Sequence, residues 1–86
     1  MSYFKNKEVV VTGGAGFLAT HFITELNKLG ANITTHTYNS PLQVSEEIQK
    51  DITILENIDL NNLDDAIKLT SGADLVVHCA GHVLHP

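Results

Sequence analysis

The chain contains no arginine, and its five lysines face ten aspartate and glutamate residues, which leaves a formal net charge of -5. Proteins that bind nucleic acid neutralise its phosphates with clustered lysine and arginine. No such cluster occurs in these 86 residues. The composition therefore argues against a nucleic-acid partner, although the N–H groups at a helix N-terminus can still bind the phosphates of one dinucleotide.

Cysteine and long apolar runs are also scarce. The single Cys79 cannot form an internal disulfide, which is typical of a reducing compartment. No apolar run approaches the length of a membrane span, and residues 1–7 are polar rather than a signal peptide. The sequence predicts a cytoplasmic chain without a membrane partner. Its 43% hydrophobic and 17% charged residues indicate one small globular domain over residues 1–86.

The most informative stretch is a glycine-rich turn between an apolar strand and a helix. Glu8 to Thr12 reads as the strand, and a helix with an apolar stripe follows from about Gly16. Gly13 permits a tight turn, and Gly16 removes a Cβ where a pyrophosphate would approach a helix N-terminus. Ala19 stands where a third glycine often stands. The turn is interpreted as a phosphate-binding site. A turn that serves only packing is the alternative, and no Gly-Lys-Ser/Thr of a Walker loop follows.

The remaining elements alternate between strand and helix. Ser40 is predicted to cap a short helix within residues 41–50, and Asn61 or Asn62 to cap a longer one whose inward face is Leu63, Ala66 and Ile67. In the first helix the predicted inward stripe is Leu18, Phe22, Ile23, Leu26 and Leu29, with Gly30 as its stop. The predicted strands after the first are residues 32–38, 51–58 and 74–80, the last being covered on both faces.

This element order predicts a three-layer α/β fold, a Rossmann-like, doubly wound parallel sheet of four strands. The expected strand order is 3-2-1-4, with a topological switch point between the first and fourth strands. Gly13 to Gly16 and the segment Ala80-Gly81 would then lie together at the carboxyl edge of the sheet, where ligands of such folds bind.

Three segments in this order resemble the N-terminal half of an extended short-chain dehydrogenase/reductase, the NAD-dependent epimerase/dehydratase family acting on nucleotide sugars. They are residues 12–19, the pair Asp59-Leu60, and residues 74–81. The resemblance covers the chain from Lys7 to Pro86 and implies a dinucleotide partner, with nucleotide sugars as substrates of the full-length family.

The same resemblance implies roles for individual residues. Phe17 and Leu18 would lie by the pyrophosphate, Asp59 would bind the adenine amino group, and Leu60 would flank the ring. Ala80 and Gly81 would line the nicotinamide side. Position alone leaves Asp59 with two uses, because a carboxylate between a strand and a helix can also cap that helix.

The chain departs from the family pattern at two places. Thr37 stands where NAD-binding members have an acid for the ribose hydroxyls, and no arginine or nearby lysine is offered to a 2′-phosphate, so NAD and NADP both remain candidates. The family's catalytic Tyr-x-x-x-Lys is also missing. Four positions after Tyr38 stands Leu42 instead of a lysine. Tyr3 does have Lys7 four positions later, but this pair precedes the first strand and is interpreted as a chance match. No catalytic residue is therefore assigned, and the 86 residues alone are predicted to be inactive.

Two other functions stay open beside a dinucleotide-binding portion of an epimerase, dehydratase or reductase. One is a non-catalytic module that binds a nucleotide or self-associates through the edge of its fourth strand. The other is a fragment without a separate role. His78, His82 and His85 could hold zinc, but loop and strand-end positions explain them more simply, and Cys79 is interpreted as an inert core residue.

Overall fold

The computed structural model describes residues 3–13, 16–37 and 42–79. Within these ranges the elements are β1 (Glu8–Thr12), α1 (Phe17–Lys28), β2 (Asn32–His36), α2 (Glu46–Gln49), β3 (Thr53–Leu55), α3 (Leu63–Thr70) and β4 (Leu75–His78). The four strands form one parallel sheet in the order β3-β2-β1-β4. This confirms the predicted order and places the switch point between β1 and β4.

Strand β1 is buried on both faces and separates two apolar clusters. On one face Val9 and Val11 pack with the inward residues of α1, which are Ala19, Ile23 and Leu26. On the other face Val10 packs with Ile58 and with Leu69 of α3. Because successive side chains of a strand point to opposite faces, one run of valines fills both clusters. The sheet is the middle layer of the predicted three.

Several predicted boundaries move inward. Helix α1 ends at Lys28, and Gly30 follows with a φ of +84°, as expected for a helix stop. Strand β2 ends at His36, and Tyr38 lies outside the described residues. Strand β3 covers only Thr53–Leu55 of the predicted residues 51–58, and Asn57, with a φ of +61°, interrupts the extended backbone after it.

The helix caps are confirmed in one case and corrected in the other. The side chain of Asn62 accepts a hydrogen bond from the Asp65 amide at 3.1 Å, so Asn62 caps α3 as predicted. Helix α2 is capped by Ser45 instead of Ser40, and Leu42 and Gln43 precede it without helical structure. Ser40 itself lies outside the described residues.

The predicted inward face of α3 is wrong. Leu63 is 73% exposed and Ile67 is 56% exposed, whereas Leu69 is 2% exposed. Eight residues make only about two turns, so two apolar stripes compete for the sheet. The stripe that wins carries Leu69, which packs with Val10 and Ile58 and is extended past the helix by Ala73.

Two further predictions of burial are also corrected. In α1 the buried stripe is Ala19, Ile23 and Leu26, while Leu18, Phe22 and Leu29 are exposed. In β4 the expected cover on both faces is absent at Val76, which is 43% exposed. Val76 shares the face of Val10, but α3 packs over β2 and leaves β4 open there. Over the described ranges, no helix is both long and apolar enough to cross a bilayer.

The burial of α3 is testable with two truncations on the same helix. Leu69→Ala should lower the free energy of unfolding by about 2–4 kcal/mol, because it leaves a cavity against Val10 and Ile58. Ile67→Ala should change it by less than about 1 kcal/mol, since most of that side chain is already in water. Urea titrations followed by circular dichroism measure both, with Leu69→Val as a milder variant. The reverse ranking would contradict the observed packing.

Candidate functional site

A tight turn leaves the carboxyl end of β1. Gly13 has a φ of +72°, a conformation that a side chain disfavours by about 1–2 kcal/mol. The amide of Gly16 then donates to the Gly13 carbonyl oxygen at 2.9 Å. A Cβ on Gly16 would lie 3.3 Å from that same oxygen, so the backbone there has little room beside it. Gly14 and Ala15, between these two residues, lie outside the described residues.

The N-terminus of α1 differs from those of the other two helices. Ser45 and Asn62 cap α2 and α3 with side-chain hydrogen bonds, and two acidic residues stand in the first turn of each. Helix α1 begins at Gly16, which has no side chain to cap it, and its first turn contains no acid. The positive end of the α1 dipole is therefore left without a negative group from the described chain. Phe17, 86% exposed, and Leu18 stand at this end.

All five lysines lie at the opposite edge of the sheet. In a parallel sheet the connecting helices run back, so their last turns reach the amino edge. Lys28 and Lys68 stand in the last turns of α1 and α3, and Lys50 caps the end of α2. Lys5 and Lys7 immediately precede β1. An anion at the start of α1 would meet backbone amides and the helix dipole, with no lysine beside it.

Strands β1 and β4 are joined at their carboxyl ends by a small hydrogen-bonded group. Thr12 pairs with His78 in the sheet, and Thr12 Oγ1 lies 2.8 Å from His78 Nδ1. The same hydroxyl accepts from the Cys79 amide at 3.0 Å. Gly13 is thereby held beside the end of β4, as predicted. Ala80 and Gly81, predicted to line this junction, lie outside the described residues.

The environments of His78 and Cys79 bear on two other expectations. His78 is exposed, so its predicted packing within the strand end is wrong. Cys79 is half-buried, and burial raises the pKa of its thiol, which disfavours the reactive thiolate. Within the described ranges no three His, Cys, Asp or Glu side chains converge as metal ligands, and His82 and His85 lie outside them.

Sequence reasoning missed the contact between His36 and the glycine turn. His36 ends β2, is 6% exposed, and accepts a hydrogen bond from the Gly13 amide at Nε2, 2.8 Å away. Gly13 therefore contributes the bend of the turn, while its amide is already paired within the protein. The pKa of His36 is lowered chiefly by burial; the Ile58 backbone opposes this by raising the pKa, and His78 adds a smaller lowering effect. Because side chains alternate along a strand, His36 shares the α3 face of the sheet with Thr34. Nothing in the sequence, however, indicated that the Gly13 amide would be its hydrogen-bond partner.

The ends of β2 and β3 form the other side of the site. The Thr37 amide donates to the Leu55 carbonyl, and the Thr37 carbonyl accepts from Ile58, both at 3.0 Å. This pairing brings Thr37 beside the segment that contains Asp59 and Leu60. Leu60 is half-buried against the cluster of Val10 and Leu69, which limits how much of it can flank a ligand.

Asp59 holds the turn before α3 but does not cap that helix. Its Oδ1 accepts from the Asn61 amide at 2.9 Å, and its own amide donates to Asp65 Oδ2 at 3.0 Å. The N-cap is Asn62. Within the described part of the chain, no donor binds Asp59 Oδ2. The carboxylate is thus oriented through one oxygen, Oδ1.

Comparison with known proteins agrees with this geometry. The family model of the NAD-dependent epimerase/dehydratase family matches residues 9–86. The chain belongs to this family.

Its curated relatives are oxidoreductases and epimerases. A ketoreductase of Aspergillus niger is 35% identical over 83 residues, which are 86% of this chain and 25% of the relative. A bifunctional UDP-glucose and UDP-xylose 4-epimerase of Pisum sativum is 33% identical over 87 aligned positions, covering 88% of this chain and 25% of the relative. The chain therefore spans about a quarter of the length of the curated relatives it matches.

Solved structures give the same fold. An epimerase of Methanothermobacter thermautotrophicus has a TM-score of 0.72 and 26% identity, covering 92% of this chain and 24% of its own. A short-chain dehydrogenase/reductase of Veillonella parvula, solved in complex with NADP, has a TM-score of 0.70 and 20% identity, covering 84% and 34%. The epimerase is similar to this chain in both sequence and fold, whereas the dehydrogenase/reductase is similar in fold alone.

Proposed function

We propose that the chain is the dinucleotide-binding portion of a nicotinamide-dependent epimerase, dehydratase or reductase. The single observation that carries this proposal is the start of α1, which follows the Gly13 turn without a side-chain cap or an acid. Pyrophosphate would accept hydrogen bonds from the first amides of α1, near Phe17 and Leu18, with Gly16 allowing its close approach. Family membership supports the same ligand.

The rest of the dinucleotide would extend in two directions from this point. Towards β3, Asp59 Oδ2 would accept from the adenine amino group and Leu60 would flank the ring, while Thr37 stands near the adenosine ribose. Towards β4, the nicotinamide would approach the segment Ala80-Gly81. The cofactor supplies hydride transfer, and the chain supplies orientation. The P. sativum relative, by its name a UDP-sugar epimerase, supports a nucleotide-sugar substrate for a full-length protein.

A valine at position 16 tests the phosphate site. The φ of -84° and ψ of 159° at Gly16 are open to any residue, but the added Cβ would press on the Gly13 carbonyl oxygen 3.3 Å away. A shift of that oxygen by a few tenths of an ångström relieves the contact, so Gly16→Val should leave α1 in place, which circular dichroism checks. Its side chain would fill the space beside the turn, and we expect the variant to lose measurable NAD binding. Affinity of the parent should itself be weak, because the pocket closes on only part of the ligand. NMR titration of the 86-residue chain with NAD measures both.

Thr24→Val is the matched control, because it places the same side chain on α1 two turns further along. It should bind NAD like the parent. In the parent NADP should bind more weakly than NAD, since no lysine lies at this edge to pair with the 2′-phosphate. Equal binding by the parent and Gly16→Val would mean that the glycines serve packing alone.

The 86 residues alone should not turn over a nucleotide sugar. Tyr-x-x-x-Lys is absent in the expected place, and loss of a general acid/base typically costs about 10²–10⁴-fold in rate. UDP-glucose is incubated with NAD and chain purified free of host enzymes, and NMR follows its conversion to any other nucleotide sugar, because an epimerisation returns the hydride and leaves no net NADH. No conversion above the protein-free control is expected. Turnover that scales with the concentration of the chain would contradict this proposal.

Self-association through β4 is a second proposal, supported by a separate observation. Within the described residues β4 pairs only with β1, and Val76 beside this edge is 43% exposed. An edge strand without charge is a template for pairing with a second copy. We further propose a single half-domain over residues 1–86 that is cytoplasmic, since a lone cysteine is typical of a reducing compartment.

A charge at this edge should weaken such pairing. Val76→Lys is expected to shift the chain towards monomer in sedimentation velocity, because lysine on an edge strand opposes strand addition. Leu29→Lys is the matched control, since Leu29 is exposed at the far end of α1 and lies away from β4. A parent chain that stays monomeric at all concentrations would refute the proposal.

A further inference from the structure

The strongest unexplained feature of the described chain is the imidazole of His36. Its Nε2 accepts a hydrogen bond from the Gly13 amide at 2.8 Å, and the residue is only 6% exposed. Its other nitrogen, Nδ1, is buried without a hydrogen-bond partner in the described structure. The Ile58 backbone is the one described group that favours a proton on this ring, and it does so without forming a hydrogen bond of good geometry at Nδ1.

The contact fixes the protonation state of the ring. A backbone amide only donates, so Nε2 must present its lone pair, and the neutral ring carries its proton on Nδ1. Protonation would place a hydrogen on Nε2 facing the hydrogen of Gly13. Two donors would then oppose each other at the residue whose φ of +72° starts the phosphate turn.

We propose that His36 is a positioning residue for the dinucleotide, which holds the Gly13 turn in its binding form only as the neutral Nδ1–H tautomer. This inference rests on the proposed function for its ligand, but the His36–Gly13 contact belongs to the chain without ligand. The residue does not touch the cofactor in this scheme. It acts through Gly13, which sets where Gly16 and the start of α1 lie.

The groups around His36 act on its charge in both directions. From the end of β1 the neighbour is the Gly13 amide, which carries no charge. From β4 His78 contributes a repulsive charge when protonated, and this lowers the pKa of His36 together with burial. From the β3–α3 side the Ile58 backbone raises the pKa of His36, but burial outweighs it and the pKa is lowered overall. The carboxylates of that segment, Asp59 and Asp65, each accept an amide of the turn before α3 with one oxygen.

A lowered pKa in the folded state has a defined effect on stability. As the pH falls below about 6.5, the unfolded chain takes up a proton at His36 before the folded chain does. Stability from this group is therefore fully present above about pH 6.5 and is lost as the pH falls towards the lower folded pKa. Binding of NAD should weaken at lower pH still, as the pH falls through the folded pKa and the folded chain itself takes up the proton.

The first experiment examines the contact itself. In the ¹⁵N-labelled 86-residue chain without ligand, the nitrogen shifts of His36 should report an unprotonated Nε2 and a protonated Nδ1. A coupling across the hydrogen bond should join Nε2 to the Gly13 amide nitrogen. The opposite tautomer, or no coupling in a folded chain, would overturn the proposal whatever NAD does.

The second experiment examines the consequence for binding. NAD affinity is measured between about pH 5.5 and about pH 8, the range in which a histidine titrates. His36→Leu, which has no acceptor for the Gly13 amide, should weaken binding about tenfold at the upper end. His36→Gln retains an acceptor, and should restore most of the affinity while losing the pH dependence of the parent. His21→Gln, an exposed histidine of α1, is the matched control and should behave like the parent.

The outcomes separate this inference from the proposed function. If His36→Leu binds NAD like the parent, or if the pH dependence persists in His36→Gln, His36 does not position the turn and the proposed function still stands. If neither the parent nor Gly16→Val binds NAD, the proposed function fails and the inference fails with it. Thermal melts of every variant show whether a loss of binding reflects loss of folding.

Discussion

Strand β1 is the constraint on which the rest of the structure depends. It pairs with β2 on one side and β4 on the other, and residues 9–12 are buried. Three consecutive valines supply both apolar clusters, so α1 and α3 are held to opposite faces by the same five-residue strand. Since β1 cannot tilt without disturbing both clusters, its carboxyl end fixes the position of Gly13. The candidate site therefore begins at the end of the strand with the most fully buried run of residues in the sheet.

The three helix N-termini show how one backbone feature serves two purposes. In α2 and α3 the unpaired amides are satisfied locally, by Ser45 and Asn62, and acidic residues complement the dipole. These ends stabilise the fold. In α1 the same amides follow a glycine, and no side chain within the described residues caps them. Stability that a cap would contribute, about 1 kcal/mol, is forgone where a ligand would bind.

A structural feature could be predicted from the sequence when the residues that determine it lie close together in the chain. The bounds of β1, the strand order and the cap at Asn62 follow from apolar runs and from cap chemistry over a few residues. The inward face of α3 could not be predicted this way, because Ile67 and Leu69 are both apolar and only packing against Val10 chooses between them. The second-strand acid position was recognised at Thr37, yet the neighbouring His36 makes the contact to the turn. That contact joins residues 23 positions apart.

Ligand binding and folding are coupled strongly in a chain of this size. A domain of about this length buries only about 60–65% of the surface of its unfolded chain, so its stability is modest. A ligand at a hundred times its Kd stabilises the folded state by about 2.7 kcal/mol, close to the cost of truncating one buried leucine. The uncapped end of α1 and the unpaired Nδ1 of His36 are both costs that the folded chain carries at its candidate site. A dinucleotide at the start of α1 would offset the first directly, by accepting from the amides that no side chain of the described structure binds.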